Sequence, residues 1–169
     1  NLEWLTSTAS CAGVRNCYDH PSQLGADRWA AVIGARALHP HACVVVMAGT
    51  ATTVDLLSGT GDFLGGLILP GVALMQQALA RGTAQLPLAD GRFALQPRCT
   101  VDAIHSGCLQ AQAGAVERMF AQIAHAPDAL CLLGGGAADS FADLLAIPVR
   151  RVDNLVLSGL GAVAGLAAT

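Results

Sequence analysis

Between residues 42 and 69 the chain sets three apolar, β-branched runs one after another, ACVVVMAG, TVDLLSG and FLGGLIL, with no space for a helix between them. Strands joined this closely must fold back on one another, so the segment predicts an antiparallel meander with GTGD as its second turn. Around it the period changes. LEWLTST and GVRNCY read as short strands, and ADRWAAVIGARAL as a helix that starts near Asp27 and is ended by HPH around Pro40. After the meander, Pro70 and Gly71 open a helix over residues 72–81, and residues 100–126 form a long one. Along it Val101, Ile104, Cys108, Ala111, Ala115, Met119 and Ile123 keep helical spacing. ALCLLGGGA then reads as a buried strand ending in a glycine loop, ADSFADLLA as a helix, PVRRVD as a strand and LVLSGLGAVAGLAA as a packed terminal helix. This α/β order, a β-meander followed by α, β and α elements, is that of one actin-like, ribonuclease-H-like lobe.

Composition removes several classes of function. A chain of 169 residues is long enough for one domain with a sizeable core, and 53% hydrophobic content with 12% charge argues against disorder. All nine basic residues are arginine and the net charge is −3, so no cationic patch is expected for direct contact with nucleic acid. The absence of lysine excludes a GxxxxGK[ST] loop and Schiff-base chemistry within the sequence. The apolar tail is shorter than the roughly 20 residues of a membrane span and is broken by glycines, so no membrane partner is expected. Six cysteines, at 11, 17, 43, 99, 108 and 131, form no CxxC pair and have no His/Cys ligand spacing. They read as small hydrophobes of a reducing, cytoplasmic compartment, and no secretory signal precedes them.

Several motifs carry chemistry. Gly49, Thr50, Thr52 and Thr53 follow a buried strand, where glycine permits close backbone approach and threonine hydroxyls bond phosphate oxygens; threonine is equally at home in an ordinary strand. In LGADRW, Asp27 is either a helix cap or a carboxylate placed to take a proton from a substrate hydroxyl, and Arg28 either a surface cation or an anion clamp. Tyr18 fits a half-buried core aromatic as well as a pocket wall. Asp55 is either an ordinary polar residue at a strand end or a carboxylate for a metal-bound water. Gly134, Gly135 and Gly136 make either a helix-entry turn or a bare backbone surface for a flat ring, and Thr100 fits an N-cap of the long helix. The lone histidines, His105 among them, read as packing residues.

Taken in order, NCYDHPSQLGADRWAAVIGA, GTATTVD, FLGGLILPG, TVDAIHSG and LLGGGA resemble type III pantothenate kinase, a family that includes proteins described as Bvg accessory factor. The resemblance runs over residues 2–161 and lies in five motifs together. It implies a transferase: a homodimeric kinase of two actin-like lobes that phosphorylates pantothenate with ATP and Mg²⁺ in the first step of coenzyme A biosynthesis. It implies Asp27 as general base, with Tyr18, Gly25, Arg28 and, across a dimer interface, Thr100 as pantothenate contacts. Gly49, Thr50, Thr52 and Thr53 would hold ATP phosphates, and Gly134, Gly135 and Gly136 the adenosine. Residues 1–41 would be the substrate loop and interlobe helix, and residues 42–169 the C-terminal lobe. The family's DxGNT-type first phosphate loop has no counterpart here, so an N-terminal lobe is expected outside this sequence. A potassium or ammonium ion is a further expectation; relatives often carry Asp where this chain has Met47. The rival readings are a non-catalytic transcriptional accessory relative and another actin-like sugar or acetate kinase.

Overall fold

A computed structural model describes residues 4–83, 86–87 and 90–165. Its centre is the expected meander, β3 (Cys43–Ala48), β4 (Ala51–Leu57) and β5 (Asp62–Pro70), antiparallel throughout. Before it come β1 (Ser10–Cys11), β2 (Val14–Asn16) and helix α1 (Ala26–Leu38). After it come α2 (Val72–Gly82), α3 (Thr100–Phe120), β6 (Leu130–Gly134), β7 (Val149–Arg151) and α4 (Leu155–Val163). The seven strands form one sheet in the order β1-β2-β5-β4-β3-β6-β7, with β2 parallel to β5 and β6 parallel to both β3 and β7.

Both faces of the sheet centre are covered, which is why β3 reads as an unbroken apolar run. Alternation sends Val44, Val46, Val54 and Leu56 toward Leu109, Val116 and Phe120 of α3. Cys43, Val45, Leu57 and Leu132 face the other way, onto Trp29, Val32 and Ile33 of α1 and Leu155 of α4. The thiols of Cys43 and Cys131 are pushed by burial up to about 12, so they stay protonated and behave as hydrophobes. Cys17 and Cys99, by contrast, are exposed.

Helices α1 and α4 approach closely because each offers a glycine. A Cβ on Gly159 would lie 1.8 Å from the Ala30 carbonyl oxygen, and one on Gly34 would lie 2.2 Å from that of Leu155. Gly159→Ala is therefore expected to force the helices apart and cost about 1–3 kcal/mol, as overpacked cores do. A urea melt showing no loss would refute the contact.

Four expectations change. Among residues 4–8 no strand forms, and the pairing partner of β2 on that side is Ser10–Cys11; residues 2–3 lie outside the described residues. The long helix stops at Phe120, and residues 121–126 continue as tight turns that still bury Ile123. ADSFADLLA forms two 3-10 turns, at 138–140 and 142–144, closed by i→i+3 bonds such as Leu144 N–H to the Phe141 carbonyl, with Phe141 between them buried in the core. Thr100 occupies the first position of α3, whose N-cap is Cys99, with no side-chain cap bond. The last residues of the terminal apolar segment, 166–169, lie outside the described residues. No helix among the described residues is long and apolar enough to cross a membrane.

Candidate active site

A cavity of about 310 Å³ opens where the C-terminal end of β3 meets the start of α1 and the loop after β6. Asp27 and Arg28 border it from α1, Gly49 and Thr53 from the β3–β4 hairpin, and Gly135 and Gly136 from the loop after β6. These residues span more than a hundred positions of sequence, and the parallel pairing of β6 with β3 is what brings the third group alongside the second.

The walls of the cavity are backbone held at close quarters. Gly135 has φ of +97°, and a Cβ there would lie 2.2 Å from the Ala48 carbonyl oxygen, so only glycine lets this loop rest on the end of β3. Gly71 N–H donates to the Thr50 carbonyl at 2.8 Å, tying the Pro-Gly after β5 to the threonine loop. Thr53 lines the cavity, and its buried hydroxyl has no hydrogen-bond partner among the described residues. A buried polar atom left without a partner is costly, so this oxygen fits a site completed by a ligand.

Asp27 sits in the first turn of α1, exposed and in none of the salt bridges among the described residues. Its Oδ1 lies 2.7 Å from where a Cβ on Gly25 would be, so the glycine leaves the carboxylate room to fold back beside the helix end. Arg28, the next residue, points inward and is 6% exposed. Its Nε donates to Asp55 Oδ2 at 3.2 Å, its Nη2 to Asp55 Oδ1, and its Nη1 to the Tyr18 hydroxyl at 3.0 Å. Burial draws the Arg28 guanidinium down, but the bonds and charge of Asp55 and Tyr18 outweigh this and raise it, so it stays charged. Burial likewise pushes the Asp55 carboxyl up, against the pull of Arg28, with Asp27 adding a smaller upward push. The bidentate geometry governs the pair, and Asp55 remains a carboxylate while Arg28 is present.

Tyr18 borders a second cavity, of about 390 Å³, together with His20, Gly65 and Gly66. Its ring packs on Phe63 with centroids 5.3 Å apart. Asn16, buried at the end of β2, fixes the loop that carries it: the Asn16 side chain accepts from Tyr18 N–H and donates to the Pro21 carbonyl.

The remaining candidates lie elsewhere. Thr52 alternates with Thr53 and shares the α3 face with Val54, and Thr50 is exposed at the hairpin tip. Gly134 is the last residue of β6, paired with Met47. Thr100 stands exposed on the opposite side of the sheet. Asp55 has both oxygens on Arg28, and among the described residues no three His, Cys, Asp or Glu side chains converge as metal ligands. Met47 borders the first cavity with a thioether, which does not suit a potassium or ammonium ion. Asn16 is absent from the sequence-derived set; its signal is a polar residue closing a strand.

Comparison with known proteins places this arrangement in a family. The sequence profile of type III pantothenate kinase matches residues 1–122. The type III pantothenate kinase of Aromatoleum aromaticum is 65% identical over 96% of this chain and 67% of its own length. That of Azoarcus sp. is 60% identical over 95% of this chain and 61% of its own length. The chain thus spans about two thirds or slightly less of these relatives. Among solved structures, a Baf family transcriptional activator from Campylobacter jejuni superposes with a TM-score of 0.68 at 23% identity, covering 88% of this chain and 66% of that one. The apo pSK41 ParM protein superposes with a TM-score of 0.50 at 12% identity, covering 83% of this chain and 47% of that one. Both likenesses concern the fold, which is the actin-like ATPase fold. From the matched profile and these relatives, the chain belongs to the type III pantothenate kinase family.

Proposed function

We propose that this chain carries the acceptor side and one phosphate loop of an enzyme that transfers the γ-phosphoryl group of ATP to the hydroxyl of pantothenate. The product is 4′-phosphopantothenate, the first intermediate toward coenzyme A. One observation carries the reading: Thr53, whose buried hydroxyl has no hydrogen-bond partner among the described residues, and Asp27, whose carboxylate is in none of the salt bridges there, line the same cavity. Thr53 and the backbone at Gly49 would meet phosphate oxygens, and Gly135 and Gly136 would lie against the nucleotide. Asp27 would take the hydroxyl proton as the oxygen attacks, and Arg28 would meet the acceptor's carboxylate. Mg²⁺ would arrive with ATP and neutralise phosphate charge; since Arg28 occupies Asp55, this chain's part is to orient the acceptor and the phosphates. Met47 argues against a monovalent ion held at its own position. Residues 1–41 would serve as substrate loop and interlobe helix and residues 42–169 as the C-terminal lobe, within a cytoplasmic homodimer in which Thr100 reaches the partner's acceptor site. A site kept intact around Asp27 and Thr53 supports catalysis over an accessory role.

The test is mass-spectrometric detection of 4′-phosphopantothenate after the full-length protein is incubated with Mg-ATP, potassium or ammonium, and pantothenate. Absence of product from folded protein, or equal turnover of acetate or hexose, would overturn the reading. Gly25→Ala gives a finer check. The added Cβ must displace the Asp27 carboxylate and meets no other atom within 4 Å among the described residues, so turnover is expected to fall about tenfold, as misplacement of a reacting group does, with only the modest stability loss of a poorer N-cap.

A further inference from the structure

The double glycine of β5 and the aspartate of β4 belong to one device. Asp55 pairs with Gly66 across the strands, and a Cβ on Gly66 would lie 2.1 Å from Asp55 Oδ1 and 2.6 Å from the Val54 carbonyl oxygen. Only a bare backbone lets the carboxylate lie flat there. Gly65 has φ of +115°, opposite Leu56 where the β4–β5 register shifts, and the position its Cβ would take lies 4.0 Å from the Tyr18 ring. The two glycines therefore make a bed with Asp55 on one part and Tyr18 on the other. Arg28 lies between them, its guanidinium carbon 5.8 Å from the Tyr18 ring centroid and 5.9 Å from that of Phe63.

A guanidinium has five N–H donors in a rigid fork. Asp55 takes Nε and one hydrogen of Nη2, which is the side-on edge, and the Tyr18 hydroxyl takes one hydrogen of Nη1. Among the described residues nothing takes the other hydrogen of Nη1 or of Nη2, and Arg28 borders the cavity that also holds Asp27. Without Asp55 the guanidinium could turn its better, side-on edge to any anion. With Asp55 in place it presents only what is left.

We infer that Asp55 is a positioning residue: it acts through Arg28, fixing the guanidinium so that its two unspent N–H donors face the carboxylate of the acceptor, and Gly66 is glycine to admit it. This rests on the reading of the cavity as the acceptor site, and the experiment separates the two. The first arm needs no substrate. In the full-length protein, the Arg28 Nε–H resonance, assigned by its loss in Arg28→Lys, is expected to exchange slowly in the native protein and in Tyr18→Phe. In Asp55→Asn, which keeps the shape but loses an acceptor, it is expected to exchange fast. The second arm is kinetic. Asp55→Asn and Arg28→Lys are both expected to raise KM for pantothenate by about tenfold or more, the scale of a displaced binding group, while KM for ATP changes less. Should Asp55→Asn fail to fold, Asp55→Glu takes its place: it keeps the ion pair but moves the guanidinium by a methylene, and its pantothenate KM is expected to rise in the same way. Slow exchange surviving in Asp55→Asn overturns the inference, as does an unchanged pantothenate KM in either variant. If the native protein does not phosphorylate pantothenate at all, the substrate reading falls, and the resonance still decides whether Asp55 fixes Arg28.

Discussion

Replacing Asp27 with asparagine is expected to lower phosphoryl transfer to pantothenate by at least about 10²-fold, the usual contribution of a positioned general base. The fold should hardly notice. Asp27 is exposed, and what asparagine removes is one negative charge from the first turn of α1, worth about 0.3–1 kcal/mol through the helix dipole. Binding of a non-hydrolysable ATP analogue should be unchanged, since the groups proposed to face the phosphates, Thr53 and glycine backbone, lie on other elements. The combination is the diagnostic: lost turnover with intact melting and nucleotide binding assigns the carboxylate to the proton. Turnover within a few-fold of the native protein would remove Asp27 from that role and leave it a first-turn charge on the helix dipole, since the N-cap is Gly25.

What the sequence discloses and what it conceals divide along range of contact. Helix α1 is legible to its ends because the signals are local: Gly-x-Asp at the start and a histidine-proline stop. The meander is equally legible, since three strand-like runs with short turns admit one arrangement. The pair of threonines was half legible. Both look alike as phosphate ligands, yet the period of two that defines a strand puts Thr53 on the face of Asp55 and Thr52 on the face of α3, and applying it would have separated them. Arg28 with Asp55 could not be read, because the partners are 27 residues apart on different elements and nothing local to Asp55 distinguishes an ion pair from a metal ligand. Gly66 was visible as an anomaly, a glycine in mid-strand; its cause, a carboxylate from the neighbouring strand, needs the register.

That ion pair gives the second large effect. Arg28→Met keeps much of the apolar volume but strands a carboxylate that is 1% exposed, and breaking a buried pair in this way costs about 3–5 kcal/mol. The sign of the pH dependence follows from Asp55. Burial already pushes its carboxyl above the ordinary value with Arg28 present, and in the variant the main opposing pull is gone. A carboxyl whose folded pKa is raised is easiest to accommodate when protonated. The variant's loss should therefore be smallest below the ordinary carboxyl range, about pH 4, and grow as pH rises through the raised folded value. Urea melts of native protein and variant at several pH values between about 5 and 8 read this directly as a widening gap. Adding Asp55→Leu to Arg28→Met removes the stranded charge and should recover much of the stability, since replacing both partners of a buried pair is often neutral. A gap that does not change with pH, or a double variant no better than the single one, would mean that packing around Trp29 and Phe63, and not the abandoned charge, sets the cost of losing Arg28.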